Sequence, residues 1–341
     1  MSVSDPTALY RLRDGIYAAD LLVVAVAELD VFTVVKESGT VDAGWLSERL
    51  QLDARAADVM VTYLVALRLL DREADRRLGI SQMAAEHLVA GSPLDLRAYF
   101  ASLRERPACR ELLAVLKTGE PAAWASASAE RDWTERLGEV EFARRITAAM
   151  HARRLFLGPA LARSLADIPM RSVLDVGGGS GVYACALVDH RPDVHATVFE
   201  RPPVDSAART LLAERGYSDR VAVTSGDMFT DSLPGGHDLH LFSHVLHDWG
   251  EEHVRKLLAA SFAALAPGGW LVDHETHINE TKTGPLPVAE YSVLLMHSTP
   301  GKCWSVREIA GMLDDVGFTH MGTRPTAADR TAILARKSVG R

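Results

Sequence analysis

The sequence predicts an α/β protein: a mostly parallel sheet with helices on both faces, preceded by an α-helical, winged-helix-like N-terminal region. Three observations carry this. From Arg171 onward, short apolar runs alternate with helical patterns, as parallel strands joined by crossover helices do. The first of these runs closes on a glycine cluster, LDVGGGSG. Residues 1–100 read instead as short helices followed by one charged hairpin.

Taken in order, IYAADLLVVAVAELDVF is apolar almost all round and reads as one helix buried on more than one side. Trp45, Leu46 and Leu50 mark a second helix. Val59, Met60, Tyr63, Leu64, Leu67 and Leu70 mark a third at helical spacing. LDREADRRLGIS then forms the wing. Residues 101–165 read as a helical connector. Gly119, Pro121 and WASASAE mark a loop in it, and FARRITAAMHARRLFLGPALARSL marks a helix. The strands of 166–341 are SVLDVG, HATVFE, RVAVTSGD, HDLHLFSHVL and GGWLVDHE. EEHVRKLLAASFAAL is the clearest intervening helix, and Asp248 is expected to begin it. PLPVAEYSVLLMHSTPGK reads as an amphipathic helix. FTHMGTRPTAADRTAILARK adds an antiparallel pair at the sheet edge.

The chain has 341 residues, 48% hydrophobic and 24% charged, which is ordinary for a soluble globular protein. Its net charge of −8 argues against a nucleic-acid partner. The helix that would read DNA offers only Arg55 and Arg68, offset by Asp58 and Asp71. Three cysteines, Cys109, Cys185 and Cys303, lack metal-ligand spacing and predict a reducing compartment. The most apolar run carries Asp20, Glu28 and Asp30 and is too short to span a bilayer. A cytoplasmic enzyme with no membrane contact is the expectation.

Gly177, Gly178, Gly179 and Gly181 lie between a strand and a helix, where they permit a tight turn and close approach of backbone to a ligand. Glu200 ends the next strand, at a spacing that suits ribose hydroxyls. A dinucleotide fits less well, because Val182 takes the last glycine position of G-x-G-x-x-G and Asp175 would face a pyrophosphate. An anion there favours a ligand with a cationic group, such as the ammonium of S-adenosylmethionine (SAM). Asp227 in GDMF is placed to accept from an adenine amino group, with Met228 or Phe229 beside the ring. All these residues fall at the carboxyl ends of strands, where open α/β sheets bind ligands. His274 and His277 flank Glu275, but H-E-T-H on a strand lacks the two-turn spacing of a helical zinc site, so no metal is expected.

In that order, LDVGGGSG, VFERP, SGDMF, HVLHDWGEE and LAPGGWLVDHE resemble the SAM-dependent small-molecule O-methyltransferases of the caffeate, acetylserotonin and polyketide types. The resemblance spans essentially the whole chain. It implies a Rossmann-like class I methyltransferase domain at 166–341, a winged-helix-like dimerisation domain at 1–100 and a homodimer. It places Asp175, Gly177 and Gly179 at the methionine end of SAM, Glu200 at the ribose, Asp227 and Met228 at the adenine, and Ser243 facing the cofactor. Arg154 is placed to meet the SAM carboxylate. His247 matches the general base, and Glu275 the acid that orients it. Met150 falls near the acceptor, with Tyr291, Leu295, Met296 and Thr299 as further contacts. Many members carry G-R-E-R-T where this chain has GKCWS, so Cys303 stands at a position that elsewhere holds a second supporting Glu.

The chemistry suits the residue types. A phenol has a pKa near 10, and an imidazole near 6.5 can take its proton as the oxygen attacks the methyl group. A carboxylate on the other ring nitrogen fixes the tautomer and stabilises the imidazolium. His244 is expected to be a packing residue. The same base would also serve methylation of a ring carbon ortho to a hydroxyl, for example on a hydroxyaromatic amino acid. A SAM-binding enzyme that no longer transfers methyl groups, and a ligand-sensing regulator, are the other classes to separate from this one.

Overall fold

The computed structural model describes residues 4–122 and 138–338. The WASASAE loop lies outside the described residues. In chain order the elements are α1 (Thr7–Asp14), α2 (Ala18–Ala27), α3 (Val31–Ser38), α4 (Ala43–Leu50), α5 (Ala54–Ala66), β1 (Leu70–Arg72), β2 (Leu78–Ile80), α6 (Gln82–His87), α7 (Arg97–Ala101) and α8 (Pro107–Thr118). Then follow α9 (Val140–Ser164), β3 (Ser172–Val176), α10 (Val182–His190), β4 (His195–Glu200), α11 (Val204–Glu214), β5 (Val221–Ser225), β6 (Leu239–Ser243), α12 (Glu251–Ala264), β7 (Trp270–Glu275), α13 (Leu286–Ser298), α14 (Val306–Val316), β8 (Phe318–Pro325) and β9 (Thr331–Lys337).

The chain forms two compact units. The first combines Met1–Ser128 with Ile278–Ser305, and the second combines Ala129–His277 with Val306–Arg341. Residues 278–305, expected within the catalytic domain, thus group with the N-terminal helices. The reason is apolar surface. Tyr291 through Thr299 are buried without interruption, so α13 is not the amphipathic helix that was expected. It sits in the same hydrophobic cluster as Leu21, Val24, Met60 and Leu64.

In the first unit the winged-helix outline is present. Asp42 and Asp53 cap α4 and α5 by accepting from Trp45 N–H and Ala56 N–H, and β1 pairs antiparallel with β2 as the wing. The long apolar helix expected at 16–32 is broken in two. Asp30 takes φ 45°, a left-handed conformation that Asp tolerates better than most residues, and its carboxylate accepts from Thr33 Oγ1 at 2.7 Å. In α5 every residue from Val59 to Val65 is buried.

The second unit holds a seven-stranded sheet in the order β5-β4-β3-β6-β7-β9-β8. The first five strands run parallel, and β9 and β8 add the expected antiparallel edge. The strand order reverses at β3, between β4 and β6, which opens a crevice at their carboxyl ends. The glycine loop, Glu200 and the His247 loop all emerge there. No described helix is long and apolar enough to cross a membrane.

Candidate active site

The site in the second unit starts from the β3–α10 turn. Gly177, Gly179 and Gly181 all take positive φ (65°, 57° and 68°), which L side chains rarely adopt. A Cβ on Gly178 would lie 2.5 Å from the Asp175 carboxyl carbon. The turn therefore closes over Asp175, which is fully buried. Neither of its carboxylate oxygens makes a hydrogen bond of normal geometry. Burial pushes its carboxyl up to about 7, against the weaker pull of Arg154 and the Ala184 N–H.

Arg154 projects from α9 into the same space. It is 5% exposed, donates from Nη1 to Gly178 O at 3.2 Å, and lies 5.5 Å from the centre of the Tyr183 ring. Its Nε has no hydrogen-bond partner among the described residues. Glu200, at the end of β4, accepts from Gly179 N–H at 3.1 Å and from Arg201 N–H at 2.9 Å, and burial pushes its carboxyl up. Asp227 is half-buried and accepts from Phe229 N–H at 2.9 Å. The Phe229 ring stands edge-on to Trp249, 4.5 Å between centroids, and Met228 Sδ approaches Gly177.

The loop after β6 carries the histidines. Ser243 ends the strand with its hydroxyl engaged by His274 Nδ1 at 2.9 Å. His244 takes φ 57°, and its buried ring lies 5.4 Å from that of His247. His247 falls in a single 3₁₀ turn, Leu246–Asp248, and is 2% exposed. The helix expected to begin at Asp248 begins at Glu251, with Gly250 as its N-cap. Asp248 closes the turn instead.

Glu275, the last residue of β7, holds this loop. Its Oε1 accepts from Val245 N–H at 2.8 Å and His247 N–H at 3.3 Å, and its Oε2 lies 3.5 Å from His247 Nδ1. Burial pushes the His247 imidazole well below its ordinary value, and the Arg153 and Arg330 cations push the same way. Burial raises Glu275 well above its ordinary value, with Asp273 adding to it. The imidazole is thus held neutral.

The sequence reading gave Asp248 no place beside His247. Its Oδ1 lies 3.6 Å from His247 Nε2, opposite Glu275, and burial pushes its carboxyl up to about 7. Adjacency in HDW was the available signal, and it was read as a helix start. Met150 lies part-exposed on α9. The remaining expected acceptor contacts are in the first unit. Tyr291, Leu295 and Met296 are buried on α13, Thr299 is its C-cap, and buried Cys303 donates its backbone N–H to Ser292 Oγ at 3.1 Å. His277 has both ring nitrogens engaged, by Asp273 and Thr331, and Asp273, Glu275 and His277 bring their donor atoms within 4.8 Å of one another.

A family model for the O-methyltransferase domain matches residues 110–319. The chain belongs to the O-methyltransferase domain family. It is a SAM-dependent methyltransferase of the class I α/β fold. This methyltransferase is 29% identical over 320 residues to the 3-hydroxy-5-methyl-1-naphthoate 3-O-methyltransferase of Streptomyces sahachiroi, across 93% of this chain and 91% of that one. It is 37% identical over 121 residues to the L-tyrosine C(3)-methyltransferase of Streptomyces lavendulae, but across only 36% and 33% of the two chains. Among solved structures, the O-methyltransferase family 2 protein of Planctomyces limnophilus in complex with apigenin superposes with a TM-score of 0.87 at 30% identity, across 99% and 97% of the chains.

Proposed function

We propose that this methyltransferase moves the methyl group of SAM to the hydroxyl of a phenolic secondary metabolite, with His247 as general base and Glu275 orienting it. The observation that carries the reading is the buried, neutral imidazole of His247 with Glu275 3.5 Å from Nδ1. Bound SAM supplies an electrophilic methyl on a sulfonium. The chain's own work is to hold the donor, align the acceptor and take one proton. Nε2 of His247 accepts the acceptor's hydroxyl proton, and Glu275 stabilises the imidazolium that results. The two backbone N–H groups on Glu275 Oε1 fix the loop, so the base keeps its place as charge develops. Asp248 offers a second polar contact to the acceptor.

The residues around the glycine turn fit SAM. Asp175 offers a buried carboxylate to the ammonium, and Arg154 a buried guanidinium to the carboxylate. Glu200, Asp227, Met228 and Ser243 take the ribose, adenine and facing positions. Tyr291, Leu295, Met296, Thr299, Cys303 and Met150 are the acceptor contacts of this reading. Two copies associating through the N-terminal helices in the cytoplasm complete it.

Asp175 gives SAM binding a pH dependence. The free carboxyl titrates at about 7, and an ammonium partner requires the carboxylate. SAM affinity is expected to fall as pH drops below 7, by up to about tenfold per unit. Calorimetry at pH 6 and 8 measures this. The dependence should vanish in Asp175→Asn, and a pH-independent affinity in the unaltered protein would remove Asp175 from the ammonium site.

Transfer to oxygen is favoured over carbon by the near-full-length similarity to the naphthoate O-methyltransferase; similarity to the tyrosine C-methyltransferase covers a third of the chain. The test is reaction of methyl-labelled SAM with phenols, naphthols, apigenin and tyrosine, with the label located by NMR. Label on oxygen supports this reading. Label on a ring carbon moves the function to C-methylation with the same base.

A further inference from the structure

Three buried ionisable groups lie behind the base, and the mechanism above uses only one of them. Asp273 and Glu275 alternate on β7 and so share one face of the strand, and His277 follows two residues beyond its end. All three are buried, with donor atoms within 4.8 Å of one another. His277 Nε2 is 2.9 Å from Asp273 Oδ2, and its Nδ1 is 2.6 Å from Thr331 Oγ1 on β9. Two carboxylates this close in a buried site do not both ionise. Asp is intrinsically the stronger acid. Left to itself, Asp273 would take the negative charge and hold Glu275 neutral. A neutral Glu275 stabilises the His247 imidazolium poorly.

Hydrogen bonding works against that order. Glu275 accepts from two backbone N–H groups, which favours its charged form. Asp273 has one hydrogen-bonded oxygen, Oδ2, and its partner is His277; Oδ1 has none among the described residues. With the proton on His277 Nδ1, donated to Thr331, the lone pair on Nε2 accepts the proton of Asp273. We propose that His277 is a positioning residue for methyl transfer: by accepting from the Asp273 carboxyl through Nε2, it leaves Glu275 to carry the charge beside His247. The proton count is unchanged. One proton stays on Asp273, one on His277 Nδ1, and the acceptor's proton goes to His247.

The groups around the trio favour this arrangement. Burial raises Asp273 and Glu275 alike well above the carboxylate range and holds His277 down to about 4, so a neutral acid sits beside a neutral imidazole and the hydrogen bonds decide which carboxyl keeps the proton. Beyond the trio, His247 and His274 are the titratable groups that feel His277, and the cations Arg153 and Arg154 of α9 and Arg330 before β9 act on those two histidines. Glu275 pulls His277 toward its charged form, and burial outweighs that pull.

The inference rests on His247 and Glu275 acting as the previous subsection proposes, so it is tested in two ways. The first needs neither SAM nor acceptor. Long-range ¹H–¹⁵N spectra of histidine-labelled protein report each imidazole's tautomer, with His277 assigned by its absence in His277→Phe. The expected result is an Nδ1–H, Nε2-lone-pair tautomer from pH 6 to 8. An Nε2–H tautomer or an imidazolium would overturn the proposal and leave transfer to a phenol untouched.

The second is kinetic, with the best phenol or naphthol of the panel. Asp273→Asn cannot ionise and should retain kcat within about threefold. His277→Phe should lower kcat at pH 7 by about tenfold with little change in KM, and move the acid limb of the pH profile up by about one unit. Adding Asp273→Asn to His277→Phe should restore kcat, because the competing charge is gone. A double variant no better than His277→Phe would show that His277 is merely structural.

Discussion

His247→Ala is expected to reduce kcat for methyl transfer by roughly 10²–10⁴, with SAM affinity unchanged. The imidazole is held neutral by burial, so in the native protein the base stays ready across pH 6–8. Its removal leaves the alignment of donor and acceptor, which still accelerates transfer over solution. A phenol whose own pKa lies below the assay pH arrives as the phenolate and needs no base. The variant should therefore recover on nitrophenols and stay slow on unsubstituted phenols. Rates with such a pair of acceptors, together with a SAM titration, check the prediction. Equal losses on both acceptors would mean that His247 aligns the acceptor rather than deprotonating it.

The second large effect concerns stability. Arg55, in the first turn of α5, is tied to four carbonyls. Its Nη1 donates to Gly301 O at 2.8 Å, Thr299 O at 3.3 Å and Met296 O at 3.5 Å, and its Nη2 donates to Gly119 O at 2.7 Å. Gly119 ends α8, and Thr299 is the C-cap of α13, so one guanidinium closes two helix C-termini. The side chain is 16% exposed, and burial lowers its pKa against the support of Asp53 and Glu120. Arg55→Ala leaves those carbonyls without their donor and should cost about 3 kcal/mol. A fall in melting temperature of roughly 6–12 °C is expected by calorimetry. Arg55→Lys should recover less than half, since an ammonium cannot span a fork-shaped set of acceptors. An unchanged melting temperature would show that water serves these carbonyls equally well.

This arginine shows where sequence reading stops. It was weighed as a DNA contact because a basic residue on the third helix of a winged-helix outline has that possible use. Its partners lie 64 to 246 positions away, and no local pattern reports them. Most of the parallel strands were legible because they are short apolar runs, a local signature of two-sided burial, although the edge strand β5 is largely exposed. The glycine loop was legible because left-handed backbone restricts residue choice at single positions. The closeness of His247 and Glu275, 3.5 Å apart, was legible through the resemblance. Asp248 was not, because an acid before a helical pattern reads equally well as a cap. The break at Asp30 and the burial of α13 on every side were also hidden. Both depend on which distant segment covers a helix face, and periodicity is silent on that. The Asp273–His277 pair escaped for a related reason: H-E-T-H was judged against metal spacing, whereas its partner is two strand positions before Glu275.

The interleaving of the two units has a consequence for synthesis on the ribosome. The N-terminal unit draws α13 from far downstream, roughly 170 residues after α8, which at ordinary translation rates is about 10–30 s later. For that interval the apolar surfaces of α2 and α5 that α13 will cover wait for their partner. The sheet is equally late, because β9, which pairs with β7, emerges only after α13 has been made. Nascent chains stalled between β7 and α13 should therefore be the aggregation-prone species, and a holdase would find its client there.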